Sequence, residues 1–280
     1  MTRTPLELVR LATGYLAEKG VATPRLDAEV LLAHVLGVER IRLYTEFDKP
    51  LEEPEVAAFR EALRRRARRE PVAYITGERE FWSLPFRVGP GVLVPRPETE
   101  FLVEAALEGA PPEGRILDLG VGSGCVLLAF LTERPGWTGV GTDVSDAALA
   151  LARENAEALG VADRAELRRG DLFAPVAGER FDRIVSNPPY VPRDEIEGLE
   201  PEVSRYEPRG ALDGGPDGLD VIRRIAAEAP RFLAPEGRLL LEFGKGQDAA
   251  VRDLLAEAGF SRVEIRRDLA GIPRVAVAGR

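Results

Sequence analysis

The sequence predicts an α/β protein in which a doubly wound, mostly parallel sheet follows a small N-terminal bundle of helices. Two observations support this fold class. Strand and helix patterns alternate from about residue 115 to the end, and helix start and stop signals recur in the first 70 residues. A third observation concerns the last two predicted strands. Only residues 268–274 join them, which is too short for a parallel crossover, so the last strand is expected to be antiparallel.

The N-terminal region is predicted to form three short helices. Their starts are marked by Thr4-Pro5, Thr23-Pro24 and Pro54, and their ends by Gly20, Gly37 and Pro71. Apolar residues recur at helical spacing between these markers. The next residues place aromatic and β-branched side chains among glycines and prolines, which predicts a hairpin or linker. The predicted domains are therefore a helical domain at 1–72, a hairpin or linker at 73–95 and a third region at 96–280.

The remainder of the chain alternates between two patterns. Short apolar segments predict strands at 115–119, 138–144, 165–169, 181–186, 238–243, 262–266 and 275–278. Helices are predicted at 123–133, 146–159, 218–232 and 247–258. This order is typical of a Rossmann-like sheet, whose ligands bind outside the carboxyl ends of the strands.

Composition and charge narrow the class of protein. Hydrophobic residues make up 45% of the 280 residues, which is enough for a packed core. The net charge of −9 argues against tight general binding to nucleic acid and tolerates a cationic ligand. No apolar segment is long enough to span a bilayer, and charges interrupt the N-terminus, so a cytoplasmic protein without a membrane partner is expected.

A glycine-rich loop follows the first predicted strand of the sheet. Asp118 and Leu119 lead into Gly120, Val121, Gly122, Ser123 and Gly124. The spacing Gly-x-Gly-x-Gly differs from that of dinucleotide binders, and it lets the backbone approach a ligand closely. In methyltransferases such a loop holds the methionine part of the cofactor. The alternative is an ordinary strand-to-helix turn of small residues. Cys125, which follows, is expected to be a core residue.

Two acidic residues end the next strands. Asp143 lies where a carboxylate can accept both ribose hydroxyls of a nucleotide-like ligand, and the alternative is a cap for the following helix. Asp171 lies where a carboxylate can accept an adenine amino group, with Leu172 packed on the ring. The alternative for Asp171 is a turn acid.

The sharpest motif is Asn187-Pro188-Pro189-Tyr190, directly after the strand at 181–186. Two prolines fix the backbone and end the strand. The Asn187 side-chain carbonyl and the Pro188 carbonyl can both accept hydrogen bonds from one NH2 group, while Tyr190 offers a flat face for stacking. The motif therefore predicts a slot that binds and orients a planar, amide-like NH2 group. Together with the glycine-rich loop it resembles the amino-group methyltransferases with an Asn-Pro-Pro-Tyr motif, and this resemblance implies methyl transfer to that nitrogen.

The combination resembles the HemK-type release factor glutamine N5-methyltransferases. Supporting segments are Val94-Pro-Arg-Pro-Glu-Thr-Glu100, the segment 206–218, Glu242-Phe-Gly-Lys-Gly-Gln247 and Asp268-Leu-Ala-Gly271. One departure is Ile272-Pro273, where the family usually has polar residues. The resemblance implies a class I methyltransferase sheet that binds S-adenosyl-L-methionine and no metal. It also implies a protein substrate, the glutamine of the Gly-Gly-Gln motif in class I peptide release factors, gripped by the helical domain.

Two other functions remain open at this stage. A DNA or RNA adenine N6-methyltransferase would use the same four-residue motif but would need a basic face. The basic residues that cluster in the chain are Arg64, Arg65, Arg66, Arg68 and Arg69, and they predict a solvated helix face or a docking surface for an acidic partner. The other possibility is a binding module without catalysis. His34 lies in a predicted helix and is expected to be structural, so the sequence offers no general base.

Overall fold

The structure is a computed structural model that describes residues 3–280. The first two residues, which the predicted helical domain includes, lie outside the described residues. The chain folds into two units. A helical unit extends to Glu78 and also includes Glu200–Tyr206, and an α/β unit comprises Arg79–Leu199 and Glu207–Arg280.

The secondary structure alternates as the pattern predicts. The α-helices are α1 (Pro5–Glu18), α2 (Pro24–Leu36), α3 (Arg42–Thr45), α4 (Glu53–Ala67), α5 (Val72–Thr76), α6 (Glu100–Leu107), α7 (Cys125–Glu133), α8 (Asp146–Ala158), α9 (Pro201–Tyr206), α10 (Asp220–Glu228) and α11 (Asp248–Glu257). The strands are β1 (Glu78–Phe81), β2 (Leu84–Arg87), β3 (Gly114–Leu119), β4 (Trp137–Asp143), β5 (Ala165–Arg169), β6 (Phe181–Ser186), β7 (Leu233–Glu242), β8 (Arg262–Arg267) and β9 (Pro273–Gly279).

The helical unit forms around one apolar cluster. Helix α1 starts with a capping box, in which the Glu7 carboxylate accepts the Thr4 amide at 3.1 Å, and Pro5 occupies the first turn. Gly37 ends α2 in the left-handed conformation, with φ of 63°. Leu16, Leu31 and Phe59, from α1, α2 and α4, are almost completely buried in the cluster. Local capping signals and helical periodicity thus produce the bundle that the sequence predicts.

The arginine cluster is not a uniformly solvated face. Arg66 is 5% exposed, and its guanidinium contacts Asp27 at 2.6 Å and Glu202 at 2.7 Å. Arg69 also binds Glu202, at 2.6 Å, so α9 is held to the bundle by two arginines. The prediction of a solvated or docking face is therefore wrong for Arg66, because sequence spacing does not show which carboxylates a folded chain brings to a helix.

The sheet of the α/β unit has the order β5-β4-β3-β6-β7-β9-β8. Strands β5, β4, β3, β6 and β7 are parallel, and β9 is antiparallel to both of its neighbours. Both the predicted fold class and the antiparallel last strand are confirmed. The remaining strands, β1 and β2, form a separate two-stranded sheet.

Apolar residues cover both faces of the sheet, which explains its uninterrupted hydrophobic strands. Ile116 of β3 belongs to one buried cluster, and its neighbour Leu117 belongs to the other. Leu239 and Leu240 of β7 alternate in the same way. Helices therefore pack on both sides, and the carboxyl edge of the sheet stays free for loops.

The pattern missed four helices and shortened several strands, β7 by the most. Helices α3, α5 and α9 have only four, five and six residues, too few to show helical periodicity. Helix α6 lies in a region that the pattern left unassigned. Strand β7 begins five residues before the predicted start at 238, since the proline and glycine at its beginning hide the pairing of Leu233 with Phe181. Among residues 3–280, no helix has the length and apolar character needed to cross a membrane.

The Arg66 network yields a stability prediction. Arg66→Met should lower the free energy of unfolding by about 3–5 kcal/mol, because the buried Asp27 carboxylate loses its cation and Glu202 keeps only Arg69. Arg64→Met is the matched control on the same helix, since Arg64 pairs with Glu61 while both side chains are more than half exposed. The control should change stability by less than about 0.5 kcal/mol. Urea unfolding followed by far-ultraviolet circular dichroism measures both. Equal losses in the two variants would contradict the structural role assigned to Arg66.

Candidate active site

A cavity of about 320 Å³ opens at the carboxyl edge of the parallel strands. Its wall includes residues that follow β3, β4, β5 and β6. The predicted site residues that line it are Gly120, Val121, Gly122, Ser123, Asp143, Asp171, Leu172, Asn187 and Pro189. The remaining three, Gly124, Pro188 and Tyr190, lie outside the cavity wall that the described residues form. This volume suits a small organic ligand.

The glycine-rich loop turns sharply between β3 and α7. Gly120 and Gly124 have φ of 75° and 84°, in the region where side chains are strained. A Cβ at Gly124 would also approach the side chain of Leu128 in α7 to 2.7 Å, so that side chain packs directly against the glycine. A Cβ at Gly120 would meet no atom within 4 Å in the described part of the chain. The loop therefore presents open backbone to the cavity.

Asp118, near the end of β3, is a buried carboxylate in the cavity wall. It is 2% exposed, and its Oδ2 accepts the Leu127 amide at 3.2 Å. Burial raises the pKa of Asp118 to about 7, the Leu127 hydrogen bond lowers it, and the negative charge of Asp143 raises it. A carboxylate buried beside another negative charge favours a positively charged ligand.

Asp143 connects two loops of the site. Its Oδ2 accepts the Gly122 amide at 3.0 Å, and its Oδ1 accepts the Ser145 amide at 2.8 Å. Helix α8 is capped by Ser145 instead, whose hydroxyl accepts the Ala148 amide at 3.2 Å. Each carboxylate oxygen keeps further lone pairs, so Asp143 can still accept hydroxyl groups from a ligand.

The segment after β5 forms the opposite side of the cavity. Asp171 binds Arg224 of α10 at 2.5 Å, an ion pair that is about half exposed. Leu172 has φ of 47°, which is unusual for a leucine, and its carbonyl accepts the Thr142 hydroxyl at 3.0 Å. The structure therefore places both residues at the cavity, and Arg224 is a polar neighbour that sequence reasoning missed.

Asn187 follows β6 and lies at the cavity wall. Its Nδ2 donates to the Thr99 hydroxyl at 3.0 Å. The next residue, Pro188, is buried, and Pro189 lines the cavity. Tyr190 is half-buried, and desolvation raises the pKa of its phenol above the ordinary value.

Gln247 fixes the backbone of this loop. Its Nε2 donates to the Tyr190 carbonyl at 3.0 Å, and its Oε1 accepts the Gly244 amide at 2.8 Å. A Cβ at Gly218 would approach the same carbonyl to 2.3 Å. Two of the segments quoted for the family resemblance, 206–218 and 242–247, thus meet at the backbone of the loop at 187–190.

Two further segments of the cavity wall had no predicted role. Residues 91–99 contribute Val92, Pro95, Arg96 and Thr99, and residues 208–211 follow Glu207. Arg96 binds Glu207 at 2.6 Å. The Glu207 side chain is 1% exposed, and burial raises the pKa of its carboxyl, whereas Arg96 lowers it. The ion pair joins the two segments, and only their family resemblance drew attention to them.

Neither a histidine nor a reactive thiol lies in the described part of the cavity wall. His34 is exposed on α2 in the helical unit and does not line the wall. Cys125 borders the cavity, but desolvation raises the pKa of its thiol to about 12. A thiolate is therefore not available near neutral pH. The site can bind and orient a substrate, but its described residues include no histidine to remove a proton.

Comparison with known proteins agrees with this geometry. Residues 7–77 match the PrmC N-terminal domain, and residues 97–198 match the methyltransferase small domain. The chain is 50% identical over 267 residues to the release factor glutamine methyltransferase of Geobacter sulfurreducens, covering 95% of this chain and 93% of that one. It is 49% identical over 272 residues to the enzyme of the same name from Cereibacter sphaeroides, covering 97% of both chains.

A solved structure supports the fold alone. The T. Thermophilus 16S rRNA N2 G1207 methyltransferase, in complex with AdoMet and guanosine, has a TM-score of 0.54 and 24% identity. It covers 72% of this chain, and the match covers 50% of that one. The sequence relatives, by contrast, extend over nearly the whole chain, and they confirm the resemblance seen in the motifs. The protein therefore belongs to the family of release factor glutamine methyltransferases.

Proposed function

We propose that the protein transfers a methyl group from S-adenosyl-L-methionine to the side-chain amide nitrogen, N5, of the glutamine in the Gly-Gly-Gln motif of class I peptide release factors. The observation that carries this proposal is the position of Asn187. Its Nδ2 is bound to Thr99, while the residue lines a cavity beside the glycine-rich loop. The Asn187 carbonyl is then the acceptor available for the NH2 group of a glutamine.

The cavity fits the cofactor. S-adenosyl-L-methionine, when bound, supplies an electrophilic methyl group on a cationic sulfur. Open backbone at Gly120 and Gly122 leaves room for its methionine part, and Asp118 provides a negative charge beside it. Asp143 would accept the ribose hydroxyls. Asp171 and Leu172, which is held by Thr142, would contact the adenine.

The residues act through position and electrostatics. An amide nitrogen is a poor nucleophile because its lone pair is delocalised, and no histidine in the described cavity wall could deprotonate it. Asn187 and the Pro188 carbonyl would orient the amide and increase electron density on its nitrogen. Pro189 and Tyr190 would shape the slot that holds it. Holding the reacting atoms in line can account for a large part of the rate enhancement.

The helical unit is proposed to bind the release factor. It matches a domain that the glutamine methyltransferases carry, and it includes the exposed apolar side chains Leu11, Ile41 and Phe47. The proposed domain roles are therefore docking for residues 1–72, connection for 73–95 and methyl transfer for 96–280. Because release factors act in translation, the proposed activity belongs in the cytoplasm, without a membrane or nucleic-acid partner.

The first test is mass spectrometry of a class I release factor incubated with the protein and S-adenosyl-L-methionine. We expect one added methyl group, located on the Gly-Gly-Gln glutamine. A release factor with this glutamine replaced by asparagine is the control and should gain none. An unmodified glutamine, together with methylated adenine in a nucleic acid offered in parallel, would overturn the proposal. Cofactor binding without any methylation would indicate a binding module.

The mechanism predicts a large effect at Asn187. Asn187→Ala should lower kcat by roughly 100-fold or more, because the amide nitrogen loses its acceptor and its orientation. The dissociation constant of S-adenosyl-L-methionine should change little, which equilibrium dialysis can measure. Near-normal turnover of the variant would refute the proposed role of this side chain.

Asp118 predicts a pH dependence of cofactor binding. Its carboxyl has a pKa of about 7, so it becomes negative as the pH rises through that value. Affinity for the cationic cofactor should then rise with pH, by up to roughly tenfold per pH unit below the pKa. Asp118→Asn should flatten this dependence between about pH 6 and pH 7.5. Calorimetric titration measures it, and an unchanged slope in the variant would assign the effect to another group.

A further inference from the structure

A buried carboxylate lies behind Asn187. Strands β6 and β7 are parallel neighbours, with Ser186 paired to Leu241. The register therefore places Asn187, which follows β6, beside Glu242, the last residue of β7. Glu242 is 1% exposed, and no part of the mechanism described above uses it.

Thr99 lies between these two residues. It is 2% exposed, in the turn that precedes α6. Its hydroxyl accepts a hydrogen bond from Asn187 Nδ2 at 3.0 Å, and it lies close enough to the Glu242 carboxyl to lower the pKa of that group. The Tyr190 hydroxyl also lowers the pKa of the Glu242 carboxyl. Glu242 Oε2 has no partner within the part of the chain that the structure describes.

The chemistry of these groups sets the direction in which the Thr99 hydroxyl points. A carboxylate only accepts, so a hydroxyl beside it turns its proton toward Glu242. The same hydroxyl can then only accept from its other neighbour. It accepts from Nδ2 of Asn187, which turns the Asn187 carbonyl away from Thr99. If the carboxyl were protonated, Thr99 would be free to donate to the Asn187 carbonyl instead.

We propose that Thr99 and Glu242 are positioning residues that fix the side-chain amide of Asn187 with its carbonyl toward the substrate. The inference rests on the proposed function and adds two residues to it. Neither residue touches the reacting atoms. Together they disfavour the flipped orientation of the Asn187 side-chain amide. In that orientation the amide would present two N–H donors to the NH2 group of the glutamine.

Glu242 gives the proposal a pH signature. Burial raises its pKa to about 7, the Thr99 hydroxyl, the charge of Arg274 and the Tyr190 hydroxyl lower it, and Glu98 raises it. Groups that face it are Arg274 of β9, Glu98 of the turn before α6, Tyr190 after β6 and Cys125 of α7. The carboxylate forms as the pH rises through about 7 and then fixes Asn187. We therefore expect kcat for glutamine methylation to rise with pH through this range.

The test compares Thr99→Val, Thr99→Ser and Glu242→Gln in the full-length protein, with a release factor as substrate. Thr99→Val should lower kcat by roughly 10- to 100-fold, and Thr99→Ser should restore most of it, because only the hydroxyl is needed. Glu242→Gln should hold kcat near the low-pH value of the wild type at every pH. Thr132→Val removes a hydroxyl from the exposed side of α7 and is the matched control.

Several outcomes would overturn the inference. They are full activity of Thr99→Val, equal decreases of kcat in Thr99→Val and Thr99→Ser, or a kcat that still rises with pH in Glu242→Gln. A rise of kcat with pH in that variant would point to Asp118, whose pKa is also about 7. Cofactor binding, measured by calorimetry, should stay unchanged in all three variants if they fold. A wild type that methylates no glutamine would instead refute the proposed function, so the two failures are distinguishable.

Discussion

Parallel strands that share a register end at one edge of a sheet, and in this protein that geometry brings together loops far apart in the chain. Strand β3 pairs with both β4 and β6, so the glycine-rich loop, Asp143 and Asn187 reach the same cavity. The adjacent strand β7 adds Glu242 at the same level. Nothing local in any one of these segments creates the site. Each contributes one or two groups, and the sheet supplies the distances between them.

The chemistry explains why positioning dominates this arrangement. A free amide offers neither a strong nucleophile nor an acidic proton, so a side-chain base of ordinary strength would contribute little. What the chain can supply is orientation. Prolines and Gln247 fix the backbone of the loop at 187–190, and Thr99 binds the side chain of Asn187. Such supporting contacts keep a site within the narrow tolerance that catalysis requires.

Local patterns predicted the elements well, and several bounds agree with the structure residue for residue, as in β5 and β6. These strands are short apolar segments between turn residues, so periodicity suffices. The pattern could not show that Arg66 turns inward, because that depends on Asp27 and Glu202 from distant segments. The proposed roles of Thr99 and Glu242 could not be predicted for the same reason. Those roles depend on strand order in the sheet, which no single segment contains. The roles of the predicted site residues remain predictions, while the convergence of most of them at one cavity is visible in the structure.

Three carboxyl groups whose pKa is raised by burial lie at or next to one cavity. They are Asp118, Glu207 and Glu242. Burying a carboxylate without full compensation costs stability, and such costs concentrate where a chain performs a function. Glu207 binds Arg96 in an ion pair, Glu242 lies near the Thr99 hydroxyl, and Asp118 accepts the Leu127 amide. Within residues 3–280, neither Asp118 nor Glu242 forms an ion pair, and Asp118 is the one beside the glycine-rich loop, where a cationic cofactor would provide a counterion.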